Sequence, residues 1–476
     1  MDTTQIYEKE GSLQVEENDI VEVNPARHAA VKILTRFERS DAYIDILMAR
    51  EMEQGNMLQL DKSLLTELVN GVIRWRWKLD WVLTGFYRGD YLKCLNIVKN
   101  ALRVGLYQIL FLEKIPDHAS INESVEMIKR IQGEKIANIV NGVLRNIARN
   151  IENIRYPNEE EDVVYYYTVM ESHPRWMVKR WIELYGVDAA IKILKANNER
   201  PFTTFRINKL KADLGEILAY LRANGIEFST SPYSEESITI KTRGIDLFAL
   251  NMFREGKVSI QDTSASLATK LANAKPGDKI LDMCAAPGGK SFCLAEQINN
   301  NGSIIALDKY PSKLRFIKEG SERLGITCIS AKEADSTNLN FEEKFDIVFL
   351  DAPCSGLGTL SKKPDIRWKR EREDVPVLVN TQRELLENAL AQVKVGGVLV
   401  YSTCTIEPDE NECNIEWFLN KHPEFELDRA ENYLHKDVCK DGFMMTFQHI
   451  HKCDGAFAAR LIKKSESVIS PSVVAD

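Results

Sequence analysis

The sequence predicts a multidomain protein: an all-α N-terminal domain, a small α+β linker domain, and a C-terminal α/β domain on a parallel, doubly wound sheet. Three observations predict this. The 476 residues amount to about three domains of roughly 150. Before residue 150, apolar residues recur at helical spacing with no period-2 stretch. From about residue 263, short apolar runs alternate with helical segments, the pattern of a parallel sheet. A composition of 44% hydrophobic and 28% charged residues excludes wholesale disorder and a fibrous chain. No apolar run approaches the ~18 residues of a membrane span, so no membrane partner is expected.

Residues 1–24 carry seven acidic side chains and one basic, and read as an acidic disordered tail. A secretory signal needs a basic start and an apolar centre, so a cytoplasmic location is expected. Residues 25–155 carry 20 basic and 15 acidic groups, a mildly basic segment inside a chain of net charge −8. Asn24-Pro25 reads as an N-cap with proline in the first turn. Ala26 to Phe37, Ile97 to Leu110 and Ile139 to Ile147 follow at helical spacing, and Ser120 with Glu123 is a candidate capping box. Pro157 and the run from Glu159 to Asp162 mark a linker. Residues 163–262 read as helices around Trp176, Val178, Trp181, Ile182 and Leu184, followed by a small α+β module with strands at Thr203–Ile207 and Ser237–Lys241.

Residues 263–465 hold the alternating pattern. Lys279–Cys284, Ser303–Asp308, Phe345–Asp351 and Val398–Thr403 are the expected strands, with Ala456–Ile462 as a last one. Residues 466–476 read as a flexible tail.

The segment from Lys279 to Lys290 is a strand, a Gly-rich turn and a helix start. Its loop, Cys284, Ala285, Ala286, Pro287, Gly288, Gly289 and Lys290, lets backbone amides approach a ligand. It lacks both Gly-x-Gly-x-x-Gly and the P-loop pattern, so no pyrophosphate cradle is indicated. Asp308 lies 20 residues after Gly288, the spacing at which a carboxylate reaches ribose hydroxyls. Asp335 and Asp351 follow the third and fourth strands, and ligands of such sheets sit at the carboxyl ends of strands. A ribose-bearing ligand without pyrophosphate points to S-adenosylmethionine.

The nine cysteines are odd in number and lack C-x-x-C spacing, which argues against a disulfide framework and against zinc; no metal is expected. Two of them leave strand ends: Cys354 in Asp-Ala-Pro-Cys-Ser-Gly-Leu-Gly and Cys404 in Tyr-Ser-Thr-Cys-Thr. Both thiols should reach the rim of one crevice. Cytosine carbon 5 is a poor nucleophile until a thiolate adds at carbon 6 and makes it enamine-like, which is covalent catalysis of a hard methyl transfer. An acid near N3 would stabilise the adduct. Asp351 is placed for that, given a raised pKa or a shared proton.

With Leu-Asp-Met-Cys-Ala-Ala-Pro-Gly-Gly-Lys at 281–290, these motifs resemble those of RNA (cytosine-5) methyltransferases over residues 200–465. The resemblance implies a Rossmann-like S-adenosylmethionine-dependent methyltransferase domain, Cys404 as nucleophile and Cys354 assisting product release. It makes Cys284 to Lys290, Asp308, Asp335 and Asp351 the cofactor contacts. Residues 25–155, notably Asn141-Gly-Val-Leu-Arg-Asn146, resemble a NusB-like RNA-binding domain. That pairing implies small-subunit ribosomal RNA as partner, with a monomer as default. A Pro-Asp-x-x-Trp segment also recurs in the family, so Lys362, Lys363, Arg367 and Trp368 are the expected RNA contacts. A tRNA target, or a non-catalytic RNA-binding or antitermination factor, are the alternatives; intact Cys404, Cys354 and Asp351 weigh against the second. An amino-group methylase would need an Asn-Pro-Pro-Tyr-type loop where Asp351 to Cys354 stand.

Overall fold

The structure is a computed structural model that describes residues 24–54 and 57–466. The expected tails, 1–24 and 466–476, lie outside these apart from Asn24 and Glu466. The chain divides into two compact units, Met1–Arg155 and Tyr156–Asp476.

The first unit is helical: α1 (Pro25–Phe37), α2 (Ile44–Gln54), α3 (Gln59–Arg74), α4 (Arg76–Phe86), α5 (Asn96–Phe111), α6 (Asp117–Gln132) and α7 (Glu134–Arg149). The Asn24 side chain caps α1, accepting from the Arg27 amide at 3.3 Å. α5 is the central helix, with Ala101, Leu102, Val104, Leu106 and Tyr107 all buried. Gly105 allows close packing there, since a Cβ would meet Leu144 Cδ1 of α7 at 2.7 Å. Buried Arg103 pairs with Glu38 at 2.6 Å and Asp80 at 2.7 Å, so its charge is compensated. The expected capping box does not form. α6 starts at Asp117 after Pro116; the Ser120 hydroxyl donates to Gly105 O, and Glu123 accepts from the Asn24 amide. Ile139, expected in the core, is exposed.

The second unit opens with α8 (Val163–Met170), α9 (Arg175–Tyr185) and α10 (Val187–Asn198). Asp162, read as linker, is the N-cap of α8. Trp181 is fully buried and donates its indole N–H to Glu407 at 3.0 Å; Trp176, Ile182 and Leu184 are only partly buried. Next come β1 (Thr203–Ile207), α11 (Leu214–Ala223), β2 (Phe228–Thr230), β3 (Ser237–Ile240), α12 (Asn251–Arg254) and β4 (Val258–Ile260). These strands form an antiparallel sheet in the order β2-β3-β1-β4. Ile217 and Leu221 of α11 share a core with Phe205 and Ile238. The buried Arg206 guanidinium ties this sheet to the next layer through Gln261, Ser259 and Glu296.

The larger sheet follows α13 (Thr263–Lys270). Its elements are β5 (Lys279–Asp282), α14 (Gly289–Gln297), β6 (Ser303–Asp308), α15 (Pro311–Leu324), β7 (Ile329–Glu333), β8 (Phe345–Asp351), α16 (Ile366–Lys369), α17 (Asp374–Gln392), β9 (Val393–Thr403), α18 (Glu412–Lys421), β10 (Phe425–Asp428), β11 (Cys439–Lys440), β12 (Phe443–Thr446), α19 (Gln448–His451) and β13 (Ala456–Lys463). The strand order is β11-β12-β13-β9-β8-β5-β6-β7, with β10 also on β13. β9, β8, β5, β6 and β7 are parallel, whereas β13, β12, β11 and β10 join antiparallel. The sheet is therefore mixed rather than purely parallel. After β7 the chain returns to the other side of β5, so the topological switch lies between β5 and β8. Ligands of such sheets bind in the crevice at that point.

Candidate active site

The crevice exists as a cavity of about 470 Å³, bordered by residues from the carboxyl ends of β5, β6, β7, β8 and β9. Cys284, Ala286, Asp308, Asp335, Asp351, Cys354 and Cys404 all line it, so the structure brings these sequence-nominated residues together. Ala285, Pro287, Gly288, Gly289 and Lys290 are not among the lining residues. Gly288 turns the chain at φ +109°, where a Cβ would also meet the Phe292 ring at 2.6 Å. The Ala285 amide is tied to Leu307 O at 2.7 Å. Sequence reasoning missed Lys309, Tyr310, Lys313, Ser336, Thr337, Thr381 and Leu385 in the lining. The strand-end rule carried a signal for Lys309 and Tyr310, which directly follow Asp308.

Acidic groups dominate one end of the cavity. Asp282 is fully buried, and burial raises its carboxyl to about 7 although Ser291 Oγ donates to it at 2.5 Å. Asp308 accepts from the Tyr310 amide at 2.9 Å. Asp335 is exposed, bonded by Lys309 and Thr337, and held down at about 2. Burial, then Asp282, Asp351, Asp308 and Asp335, push the Cys284 thiol far up, so it stays protonated. The cavity has strand-end carboxylates as hydrogen-bond acceptors. It suits a ligand with hydroxyls to donate and a positive centre, as in the ribose and sulfonium of S-adenosylmethionine. The residues present fit that group.

The other end carries the thiols. Cys354 Sγ and Cys404 Sγ lie 3.3 Å apart, and the Cys404 amide donates to Cys354 Sγ at 3.3 Å. The Cys354 hydrogen bond pulls the Cys404 thiol below its ordinary value. Lys290 and Lys363 act in the same direction, against burial and Asp351. The Cys354 thiol is raised by donating that bond, by burial, by Cys404 itself and by Glu410. The two thiols are thus biased in opposite directions, Cys404 toward losing its proton and Cys354 toward keeping it.

Asp351 does not stand alone. Lys290 Nζ lies 2.6 Å from one carboxylate oxygen, and Ser402 Oγ donates to the other at 2.8 Å. Burial favours a neutral amine, but Asp351 outweighs it and Lys290 is held above the ordinary lysine value. Of the two arrangements expected at Asp351, a raised pKa or a shared proton, the geometry offers a partner for the second, the Lys290 ammonium.

The four expected RNA contacts divide. Arg367 is fully buried and donates to Ser172 O, Asn197 O and Asn198 Oδ1, so it is an internal strut rather than a phosphate ligand. Lys362 Nζ is held by Asp262 and, at 3.0 Å, by Asp454; its charge is spent within the fold. Lys363 is exposed and Trp368 half-buried. None of the four lines the cavity.

A mixed sheet with a parallel core, a ligand crevice lined by strand-end carboxylates at its switch point and two thiols in contact at the rim define a Rossmann-like methyltransferase. Family comparison specifies which. Residues 269–462 match the model described as 16S rRNA methyltransferase RsmB/F, residues 24–149 the NusB family, and residues 173–245 an RsmF/B-like ferredoxin-like domain. A relative from Bacillus subtilis (strain 168), named probable ribosomal RNA small subunit methyltransferase B, is 38% identical over 92% of this chain and 98% of its own. Another from Klebsiella pneumoniae, named ribosomal RNA small subunit methyltransferase B, is 33% identical over 86% and 92%. The crystal structure of PH0851 superposes with a TM-score of 0.78 at 27% identity, covering 94% of this chain and 100% of that one. The chain belongs to the 16S rRNA methyltransferase RsmB/F family, and it is an S-adenosylmethionine-dependent enzyme. Among the described residues no helix is long and apolar enough to cross a membrane.

Proposed function

We propose that this chain methylates carbon 5 of a cytosine in small-subunit rRNA, with Cys404 as nucleophile, Cys354 aiding release, and Asp351 with Lys290 holding the base. The observation that carries this reading is the 3.3 Å contact between two oppositely biased sulfurs on one cavity rim. The names of the relatives support the rRNA target. S-adenosylmethionine, held by Asp308, Asp335 and the loop from Cys284 to Lys290, supplies an electrophilic methyl group. The Cys404 thiolate would add to cytosine carbon 6, the electron pair of the carbon 5–carbon 6 double bond would make carbon 5 nucleophilic, and carbon 5 would take the methyl group as the methyl–sulfonium bond breaks and a neutral thioether leaves. Lys290 donates toward the ring nitrogen that gains charge, while Asp351 accepts from the exocyclic amine. Loss of the carbon-5 proton to solvent in the open crevice restores the ring double bond and breaks the sulfur–carbon bond. The Cys354 S–H then hydrogen-bonds the departing thiolate and lowers the cost of expelling it.

The test is a denaturing gel for protein–RNA adducts after incubation with small-subunit rRNA and cofactor. Cys354→Ala should accumulate a slow-migrating adduct, and the Cys354→Ala/Cys404→Ala double variant should show none. An adduct that requires Cys354 would reverse the thiol roles. No adduct with any variant that still binds the cofactor would defeat the covalent reading, and labelling confined to tRNA would defeat the rRNA target.

A further inference from the structure

The Cys354 loop is buried irregular backbone, and its polar groups need partners. Side chains supply them. Gln382 donates to Pro353 O at 3.0 Å, and Arg370 donates to Ser355 O at 3.1 Å and Cys354 O at 3.4 Å. The remaining groups converge on Glu410, which has no solvent exposure. Its Oε2 accepts from the Ser355 amide at 2.8 Å and from Gln382 at 2.9 Å, and its Oε1 accepts from Ser355 Oγ at 2.5 Å. Ser355 Oγ also meets Thr405 Oγ1 at 2.7 Å. Ser355 directly follows Cys354, and Thr405 directly follows Cys404. The Glu410 backbone carbonyl is fixed in turn by Tyr401 OH at 2.7 Å. One carboxylate therefore closes a ring joining both thiol loops, one residue away from each sulfur.

We propose that Glu410 is a positioning residue that clamps Ser355, sets the Cys354 sulfur against Cys404, and so fixes which thiol is nucleophile and which assists release. A buried carboxylate beside Cys354 disfavours a second negative charge there, which leaves the thiolate to Cys404. Glutamine at 410 keeps the shape but removes the charge and one of the two acceptors: with its carbonyl toward the Ser355 amide and Gln382, its NH2 faces Ser355 Oγ, which must accept rather than donate, so the clamp weakens. The link to release rests on the covalent reading above, whereas the effect on thiol selectivity does not.

The experiment uses the full chain as wild type, Glu410→Gln and Ser355→Ala. Iodoacetamide alkylation of Cys404 and Cys354 is followed over time by peptide mass spectrometry, without RNA. Cys404 should react faster in the wild type. Glu410→Gln should narrow the Cys404-to-Cys354 rate ratio about tenfold, and Ser355→Ala, which loses the hydroxyl but keeps the amide bond, by a smaller factor in the same direction. In the adduct gel, Glu410→Gln should accumulate a Cys404-dependent adduct with kcat lowered and the KM for RNA unchanged. An unchanged alkylation ratio in Glu410→Gln overturns the proposal. If that variant does not fold, an unchanged ratio in Ser355→Ala overturns it instead. A narrowed ratio together with no adduct in Cys354→Ala sustains the clamp and removes the covalent reading.

Discussion

Gly358→Ala should cost about 2–4 kcal/mol of stability and about a hundredfold in methyl transfer. A Cβ at 358 would lie 1.9 Å from Gly455 O and 2.5 Å from its carbonyl carbon, where ordinary contact begins near 3.4 Å. The two backbones must separate by roughly 1.5 Å, and neither can rotate aside as a side chain would. Overpacking of this kind costs about 1–3 kcal/mol. The separation also breaks the bond from the Gly455 amide to Gly358 O, 2.8 Å long, worth about 1 kcal/mol. The Gly358 amide donates to Cys404 O at 3.1 Å, so the shift passes to the nucleophile, and a displacement of about 1 Å costs on the order of 10²-fold. Urea denaturation and transfer of a labelled methyl group to small-subunit rRNA read the two effects. Gly455→Ala probes the same contact from the other side: its Cβ would meet Ile406 Cγ2 at 2.6 Å and Gly358 Cα at 3.0 Å, so it too should lose stability. The reasoning fails if Gly358→Ala keeps wild-type activity or wild-type stability.

Two further outcomes concern charge. Alkylation of Cys404 should rise with pH through a midpoint below that of an ordinary thiol; Lys290→Met should move that midpoint upward, and an unmoved midpoint would show that the lysine does not act on the sulfur. Asp282 has its folded value raised to about 7, above its unfolded value. Its stability contribution is therefore full below the unfolded value and lost as pH rises through about 7. Melting temperature should fall from pH 5 to 8, and Asp282→Asn should flatten part of that slope; an identical slope in the variant would refute this assignment. Glu296 and Asp454, also raised to about 7 by burial, should supply the remainder.

Much of the site was legible because its parts lie at strand ends, and strand ends show in local sequence. The periodic runs at Ser303–Asp308 and Phe345–Asp351 match the observed strands residue for residue, which carried Asp308, Asp351 and Cys354 into one crevice. Local reading failed where a partner lies far along the chain. Lys362 and Arg367 look like a basic surface until Asp262, Asp454 and Ser172 are seen to enclose them. Ser120 faces Gly105 on another helix, which no capping pattern encodes. Glu410 works on Ser355 across 55 residues, a pairing invisible to spacing. The strands β10, β11 and β12 are short, and pairing with β13 rather than strong alternation defines them.

The Gly358–Gly455 contact also imposes an order of events during synthesis. Residues 354 and 404 are synthesised before residue 455, and Gly455 immediately precedes β13. A nascent chain thus carries its two sulfurs without the backbone clasp that sets their spacing. Domains fold as they emerge, and distant contacts close last. The thiol spacing is therefore completed only once the segment around Gly455 has been made, and a chain shortened before it holds both sulfurs without that clasp.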